Sequence, residues 1–474
     1  MSQSTYAITG IPLVPGQPLP TRKEITGWYN NDENALQVSL FIQALTAFQK
    51  IPVTDQLSYF RVAGIHGFPV VPWDGVTNPA GFYCAHQLPT FPTWHRPYVA
   101  LYEQRLYEIM LGIIDQIPAD QKAPWQLAAS QWRLPYWDWA ALQPYINNYG
   151  LPELLTLQQV NIVLPNSNLK KVPVDNPLWK FTNPSGAPMG DPSMGDLAIQ
   201  ADGNNPWDQC VATSRYGIVN GGDKSWVWGV ENFTDSNNAL QNPAWYAQNS
   251  GTIGELVYRL FTPNYFKSWE FFASTKYYSE HPDTDYLSLE YIHNNIHVFT
   301  GGGDMNTGLG HMCDPPVAAF DPIFWLHHCN VDRQAAIFQT LNSNLWFDQP
   351  ESDDPNPTDP LQPFHYDTQN STYTSDMVRD WTKFNYTYDN LVPPTQPSDG
   401  SDAVQPQMLL AVQPQPAVQH AQSVPVHHAI SAVHQSTLKR TLNGLYGNTR
   451  KDLLNAPGIH GLKNDYIINI VYDR

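Results

Sequence analysis

Residues 290–297 read Glu290-Tyr291-Ile292-His293-Asn294-Asn295-Ile296-His297. Wound into a helix, this stretch puts His293 and His297 one turn apart on one face, and Glu290, three residues before His293, shares it. Two imidazoles at i and i+4 are half a metal site, and they are equally the makings of two ordinary surface or core histidines. Zinc-protease chemistry requires His-Glu-x-x-His, with the glutamate beside the first ligand as general base; here that neighbour is Asn294. A carboxylate-bridged di-iron bundle takes Glu-x-x-His from paired helices, and Glu290 to His293 supplies that spacing once, with no second copy. The decision therefore rests on the other histidines that precede residue 330.

On the N-terminal side the chain runs Cys84-Ala85-His86, then Phe91-Pro92-Thr93-Trp94-His95-Arg96. Pro89 and Pro92 interrupt any helix common to both histidines, so His86 comes from a loop and His95 from the helix that follows. His66, in Gly64-Ile65-His66-Gly67-Phe68-Pro69, is a further loop histidine. On the C-terminal side His327 and His328 are adjacent, about 100° apart on a helix, so at most one easily aims where His293 and His297 aim. Two triads result, carried largely by helices of a bundle, the usual setting for a buried metal pair. Imidazole suits copper, zinc and nickel, whereas non-haem iron wants a carboxylate and calcium or magnesium want oxygen. Two neighbouring sites of three neutral imidazoles fit a copper pair that bridges dioxygen better than zinc.

Around these motifs the chain has the composition of a globular protein: 474 residues, 42% hydrophobic and 13% aromatic, with 16 Trp and 25 Tyr. A formal charge of −18 argues against nucleic acid or an anionic membrane as partner. No apolar run approaches membrane-spanning length, and the N-terminal residues lack the basic start and apolar core of a signal peptide, so the expected location is cytoplasmic. Four cysteines make no disulfide framework in a chain of this size. Apolar periodicity and proline placement predict helices over 32–50, from His95 or Pro97 to about 116, and over 252–261, 287–299 and 322–341. Residues 51–94 and 140–250 read as loops with a few short strands, and the aromatic cluster Pro135-Tyr136-Trp137-Asp138-Trp139 as core. The fold class expected is mainly α, a central helical bundle around the metal pair, with a partial β-type C-terminal extension.

The run from His86 through Phe91-Pro92-Thr93-Trp94-His95-Arg96 to Val99 and Glu103 resembles the copper-A signature of tyrosinases. Asp321-Pro322-Ile323-Phe324-Trp325-Leu326-His327-His328, with Asp332, resembles their copper-B signature, and Pro135 to Trp139 resembles a further hallmark of the family. The likeness spans roughly residues 25 to 390 and is strongest to fungal tyrosinases, type-3 copper polyphenol oxidases. It implies two copper ions as cofactors and dioxygen as cosubstrate, with copper A held by His66, His86 and His95 and copper B by His293, His297 and His328. His327 is then left to support a ligand from behind or to pack, and Cys84 forms a thioether with His86. The other cysteines, Cys210, Cys313 and Cys329, carry no comparable signal.

The resemblance implies ortho-hydroxylation of monophenols and oxidation of o-diphenols to o-quinones, the chemistry of melanin-type pigments, on small phenolic substrates. Glu290 and Asn294 match a glutamate and asparagine with which the family holds the water that deprotonates a monophenol. A catechol oxidase with diphenolase activity only, and a haemocyanin-like oxygen carrier, share the ligand set and stand as alternatives. The 301–316 loop is expected at the rim of the substrate cavity, Phe324 near the substrate ring or in the core, and Asp332 and Arg333 as anchors of their helix. Residues 1–390 form the expected catalytic domain and 391–435 a Pro/Gln/His-rich linker. Residues 436–474 begin a C-terminal segment with a strand over 466–472, like the cap that shields fungal enzymes. His420, His427, His428, His434 and His460 read as a polar tail, and a homo-oligomer is left open.

Overall fold

The computed structural model describes residues 5–77, 81–165, 167, 170–201, 203, 205–221, 223–242, 251–278, 287–348, 353–392 and 432–447. Among them lie eight helices of two turns or more: α1 Ala35–Gln49, α2 Phe91–Asp115, α3 Lys122–Gln131, α4 Phe233–Gln241, α5 Ile253–Leu260, α6 Leu289–Gly301, α7 Ile323–Leu341 and α8 Ala432–Tyr446. Six short strands make three two-stranded pairs: β1 Thr21–Arg22 with β6 Thr387–Tyr388, β2 Gln159–Val163 with β3 Lys171–Asp175, and β4 Pro360–His365 with β5 Thr372–Thr374. The molecule is thus mainly helical, and no helix of the described residues is long and apolar enough to cross a membrane.

Helix α7 is the axis. Every residue from Ile323 to Thr340 is buried, so the polar side chains it carries must find partners inside the protein. Asp332 finds four. Its Oδ1 accepts from Arg96 Nε of α2 at 2.5 Å, and its Oδ2 accepts from Arg22 Nη1 of β1 at 3.2 Å, from Tyr388 Oη of β6 at 2.5 Å, and from Tyr386 Oη. Arg22 also gives Nε to Glu103 of α2 at 2.9 Å. One carboxylate therefore ties together the helix that carries His95, the helix that carries His328 and two distant strands, and the expected anchoring role of Asp332 is borne out. The next residue, Arg333, anchors the same helix, giving Nε to Asn390 at 2.7 Å and Nη1 to Asn330 and Tyr446 at 3.0 and 3.1 Å.

Burial alone would raise the pKa of Asp332, but Arg96 and Arg22 win and hold it below the ordinary carboxylate value. A depressed carboxylate contributes stability above its unfolded pKa and loses it as pH falls through the folded one. Replacing Asp332 by alanine leaves the buried Arg96 guanidinium without a carboxylate and Arg22 with Glu103 alone, so Asp332→Ala should cost about 3–5 kcal/mol. Urea unfolding at neutral pH checks this, and a loss under about 1 kcal/mol, the scale of a surface pair, would contradict the network's role.

The aromatic hallmark packs as expected: Trp137 and Trp139 are wholly buried, and Trp137 N–H donates to Leu326 O at 3.1 Å, against α7. One boundary differs from expectation by a full turn. Helix α2 begins at Phe91 rather than at His95, because Pro92 occupies its first turn and Pro97 is accommodated inside it. Proline in a first turn forfeits a donor that has no helical partner anyway. Helices α3 and α4 were not anticipated, although Pro124 stands in the first turn of α3; α4 lies in the 140–250 stretch read as loops.

The described part of the C-terminal extension is helical. Helix α8 begins inside the expected 391–435 linker and buries Leu438, Leu442 and Tyr446, spaced i, i+4 and i+8. Tyr446 Oη donates to Asp138 Oδ2 at 2.8 Å, which fastens the helix to the aromatic hallmark. Residues 393–431 of that linker, the strand expected over 466–472, and His420, His427, His428 and His460 lie outside the described residues; His434 lies in α8.

Candidate metal centre

Four of the rings that converge on the centre are fixed from behind, whereas His328 Nδ1 has no hydrogen-bond partner. His95, in the second turn of α2, directs Nδ1 at the Phe91 carbonyl one turn back, 2.8 Å away. His66, just after the short helix Tyr59–Gly64, directs Nδ1 at Pro315 O at 2.7 Å. His297 of α6 does the same to Met312 O at 2.7 Å, and His293 to Asn294 Oδ1 at 2.9 Å. These oxygens only accept, so each Nδ1 carries the proton and each Nε2 is left with a bare lone pair.

Those lone pairs face one another. The Nε2 atoms of His293 and His297 are 2.9 Å apart, those of His293 and His328 3.2 Å, and those of His297 and His328 3.3 Å. In the neighbouring cluster the Nε2 atoms of His66 and His95 are 3.5 Å apart. Two acceptors cannot bond each other, and all five side chains are buried. A metal resolves the conflict: three imidazole nitrogens at about 2.0–2.1 Å from one ion, at tetrahedral to trigonal angles, stand about 3.3–3.6 Å apart. The donor set fits a metal.

The two clusters adjoin. The half-buried His86 ring lies 5.1 Å from that of His66, 5.5 Å from that of His95 and 5.8 Å from that of His293. His95 and His328 stack at 4.4 Å across the boundary. Burial first, and in most of them mutual repulsion second, keeps these imidazoles neutral: the pKa of His86 falls to about 4 and that of His297 to about 3, and His66, His95, His293 and His328 are held well below the ordinary value. Neutral imidazole is the form that binds metal.

The remaining expected residues fall as follows. Cys84 Sγ lies within 4.8 Å of ligand nitrogens of His66 and His86, and burial pushes its thiol up to about 12. His327 is wholly buried, stacked on the His293 ring at 5.0 Å and 14°, with neither ring nitrogen hydrogen-bonded. Phe324 wedges between the rings, 4.1 Å from His328 and 4.9 Å from His66.

Glu290 is buried, with Oε1 accepting Gln87 N–H at 2.6 Å and Oε2 accepting Thr275 N–H and Oγ1–H at 2.7 and 2.9 Å. It thereby joins α6 to the residue after His86, which sits in the left-handed region at φ 55°. Burial raises the Glu290 pKa and these donors oppose the rise. Asn294 is exposed on the same helix. Since its amide oxygen fixes the tautomer and tilt of His293, Asn294→Ala should weaken copper binding by about 10–100-fold in competition with a calibrated chelator. An unchanged affinity would show that the bond does not orient the ring.

Sequence reasoning missed the 311–316 segment as a support. Its carbonyls at Met312 and Pro315 hold one histidine of each cluster, and Pro316 O accepts from Phe68 N–H at 2.8 Å. Every residue has a carbonyl, so composition carries no such signal. His311 in the same segment joins neither cluster; it accepts from Ser214 N–H at 3.1 Å and packs on Trp207.

A helical bundle that buries two adjoining sets of neutral imidazoles defines a histidine-ligated metalloprotein of the copper oxidase kind. The family model described as the common central domain of tyrosinase matches residues 56–341. A tyrosinase of Aspergillus fumigatus is 38% identical over 514 residues, covering 100% of this chain and 74% of the relative. A tyrosinase of Neurospora crassa is 32% identical over 81% of this chain and 54% of its own length. The copper-bound active tyrosinase of Aspergillus oryzae complexed with L-tyrosine superposes with a TM-score of 0.75 and 39% identity, covering 82% of this chain and 96% of that one. The chain belongs to the tyrosinase family, and its chemistry is the copper-dependent oxidation of phenols.

Proposed function

We propose that the chain holds two copper ions and uses them with dioxygen both to hydroxylate monophenols at the ortho position and to oxidise o-diphenols to o-quinones. The observation that carries this reading is the convergence of Nε2 atoms, 2.9–3.3 Å apart, in a buried site. His66, His86 and His95 would hold one ion and His293, His297 and His328 the other, with Cys84 bonded to His86 as a thioether that steadies a loop-borne ligand. When bound, the copper pair supplies dioxygen binding and a two-electron oxidation of the phenol.

The chain itself orients the substrate, excludes water and moves a proton. Phe324 packs between the His328 and His66 rings, and half-buried His86 with exposed Gln87 and Asn294 marks the side from which a phenol would approach. A monophenol, with a pKa near ~10, must lose its proton as it binds. Glu290 and Asn294 are assigned to this step: the Glu290 carboxylate is held by Gln87 and Thr275 beside the His86 loop, and burial makes it more basic than an exposed one.

The test is to load the protein with copper, measure metal content, and compare tyrosine with catechol. Two equivalents of copper and turnover of both substrates are expected; turnover of catechol alone would reduce the enzyme to a catechol oxidase. Glu290→Gln should lower tyrosine hydroxylation by about 10²-fold or more, the contribution of a positioned base, and catechol oxidation by much less. Equal losses would remove the proton-relay role and leave Glu290 as the tie between α6 and the His86 loop.

A further inference from the structure

Tyr216 adopts φ 51°, the left-handed region in which a bulky residue is an outlier that costs about 1–3 kcal/mol and persists only where its surroundings over-determine it. Here they do. Tyr216 N–H donates to Gly301 O at 2.8 Å, Arg215 N–H before it to Val230 O at 3.1 Å, and Ile218 after it exchanges both backbone bonds with Leu309 at 2.9 Å. The 301–310 loop is shaped around this residue: a Cβ on Gly308 would lie 2.6 Å from Tyr216 O, and one on Gly302 would lie 2.2 Å from Gly308 O and 3.3 Å from the Tyr216 ring. Both glycines have φ above 100°. The strain thus has a specific product, which is the placement of one aromatic ring.

That ring lies along the last turn of α6, with its hydroxyl donating to Val298 O at 3.4 Å. Helix α6 directs His293 and His297 inward, while half-buried Tyr291, exposed Asn294 and half-buried Val298 form its open face. Tyr216 ends that face at the Val298–Gly302 side, and it is itself half-buried. No expectation from the sequence had placed it there.

We propose, resting on the phenol-oxidase reading above, that Tyr216 is a specificity-determining residue: its ring is the wall against which the substituent para to the reacting hydroxyl packs. An aromatic wall of this kind favours substrates with an apolar para group and does nothing for unsubstituted catechol.

The experiment compares 4-tert-butylcatechol with catechol on the copper-loaded full chain and its variants. Tyr216→Gly removes the ring and accepts the left-handed backbone freely, Tyr216→Asn removes it while tolerating the same backbone, and Tyr216→Phe keeps the ring. KM for 4-tert-butylcatechol should rise roughly 5–10-fold in the glycine and asparagine variants, the scale of an aromatic contact. KM and kcat for catechol should stay within about twofold, and Tyr216→Phe should match the parent on both. Parallel changes on the two substrates, or none, would overturn the assignment, as would failure of both small variants to fold, since a wall for substrate is dispensable to the fold. Absence of turnover of either catechol by the parent would instead refute the phenol-oxidase reading itself.

Discussion

Stripped of metal by a strong chelator, the protein should lose roughly 5 kcal/mol of stability or more between about pH 6.5 and 4.5, where the copper-loaded protein loses much less. Seven imidazoles, those of His66, His86, His95, His293, His297, His327 and His328, have pKa values depressed by burial. In the unfolded chain each titrates near 6.5. Between that value and the folded one the unfolded chain binds more protons, so stability is intact above about pH 6.5 and falls as pH drops. Each imidazole contributes slightly over about 1 kcal/mol per pH unit. His86 and His297 alone, with folded values of about 4 and about 3, account for the stated loss by pH 4.5. That is on the order of the whole stability of a typical domain. Copper changes the outcome because it occupies the lone pairs that protons would otherwise take. Urea midpoints at four pH values, with and without metal, decide the matter, and parallel curves for the two forms would refute it.

The same imidazoles mark how far the sequence could be read. Proline placement showed that His86 and His95 come from different elements, and helical spacing paired His293 with His297, because both rules act through local backbone geometry. The buried tie of Asp332 was legible only as an anchor; its partners Arg22, Arg96, Tyr386 and Tyr388 come from segments up to 310 residues away, and no local rule reaches that far. The carbonyls of Met312 and Pro315 and the strained backbone of Tyr216 were illegible for a different reason. A carbonyl belongs to every residue, and tyrosine is among the least expected occupants of the left-handed region. Helix α8 was not foreseen: only its first four residues lie in the expected 391–435 linker, and Leu438, Leu442 and Tyr446, which keep helical spacing, fall in the segment expected to begin a β-type extension.

His328→Phe should reduce bound copper from about two equivalents to at most one and lower catechol oxidation by about 10³-fold or more, whereas His327→Phe should keep both ions. The two residues are neighbours on α7 with equal burial, so neither exposure nor position separates them. Geometry does. The Nε2 atom of His328 stands 3.2 and 3.3 Å from those of His293 and His297, the spacing of nitrogens on one ion. His327 lies flat on the His293 ring instead, 5.0 Å between centroids and 14° between planes. One of its ring nitrogens lies within 4.8 Å of those of the other three, but neither has a partner at hydrogen-bond distance, so what it offers His293 is a face, which a phenyl ring reproduces. Losing one of three ligands to an ion worth several kcal/mol of transition-state stabilisation, at about 1.4 kcal/mol per factor of ten, gives the thousandfold figure. Metal analysis of the two variants after equal copper loading separates the roles. Retention of two ions by His328→Phe, or loss of one by His327→Phe, would exchange them and make the fourth imidazole of the cluster, not the third, the one that binds.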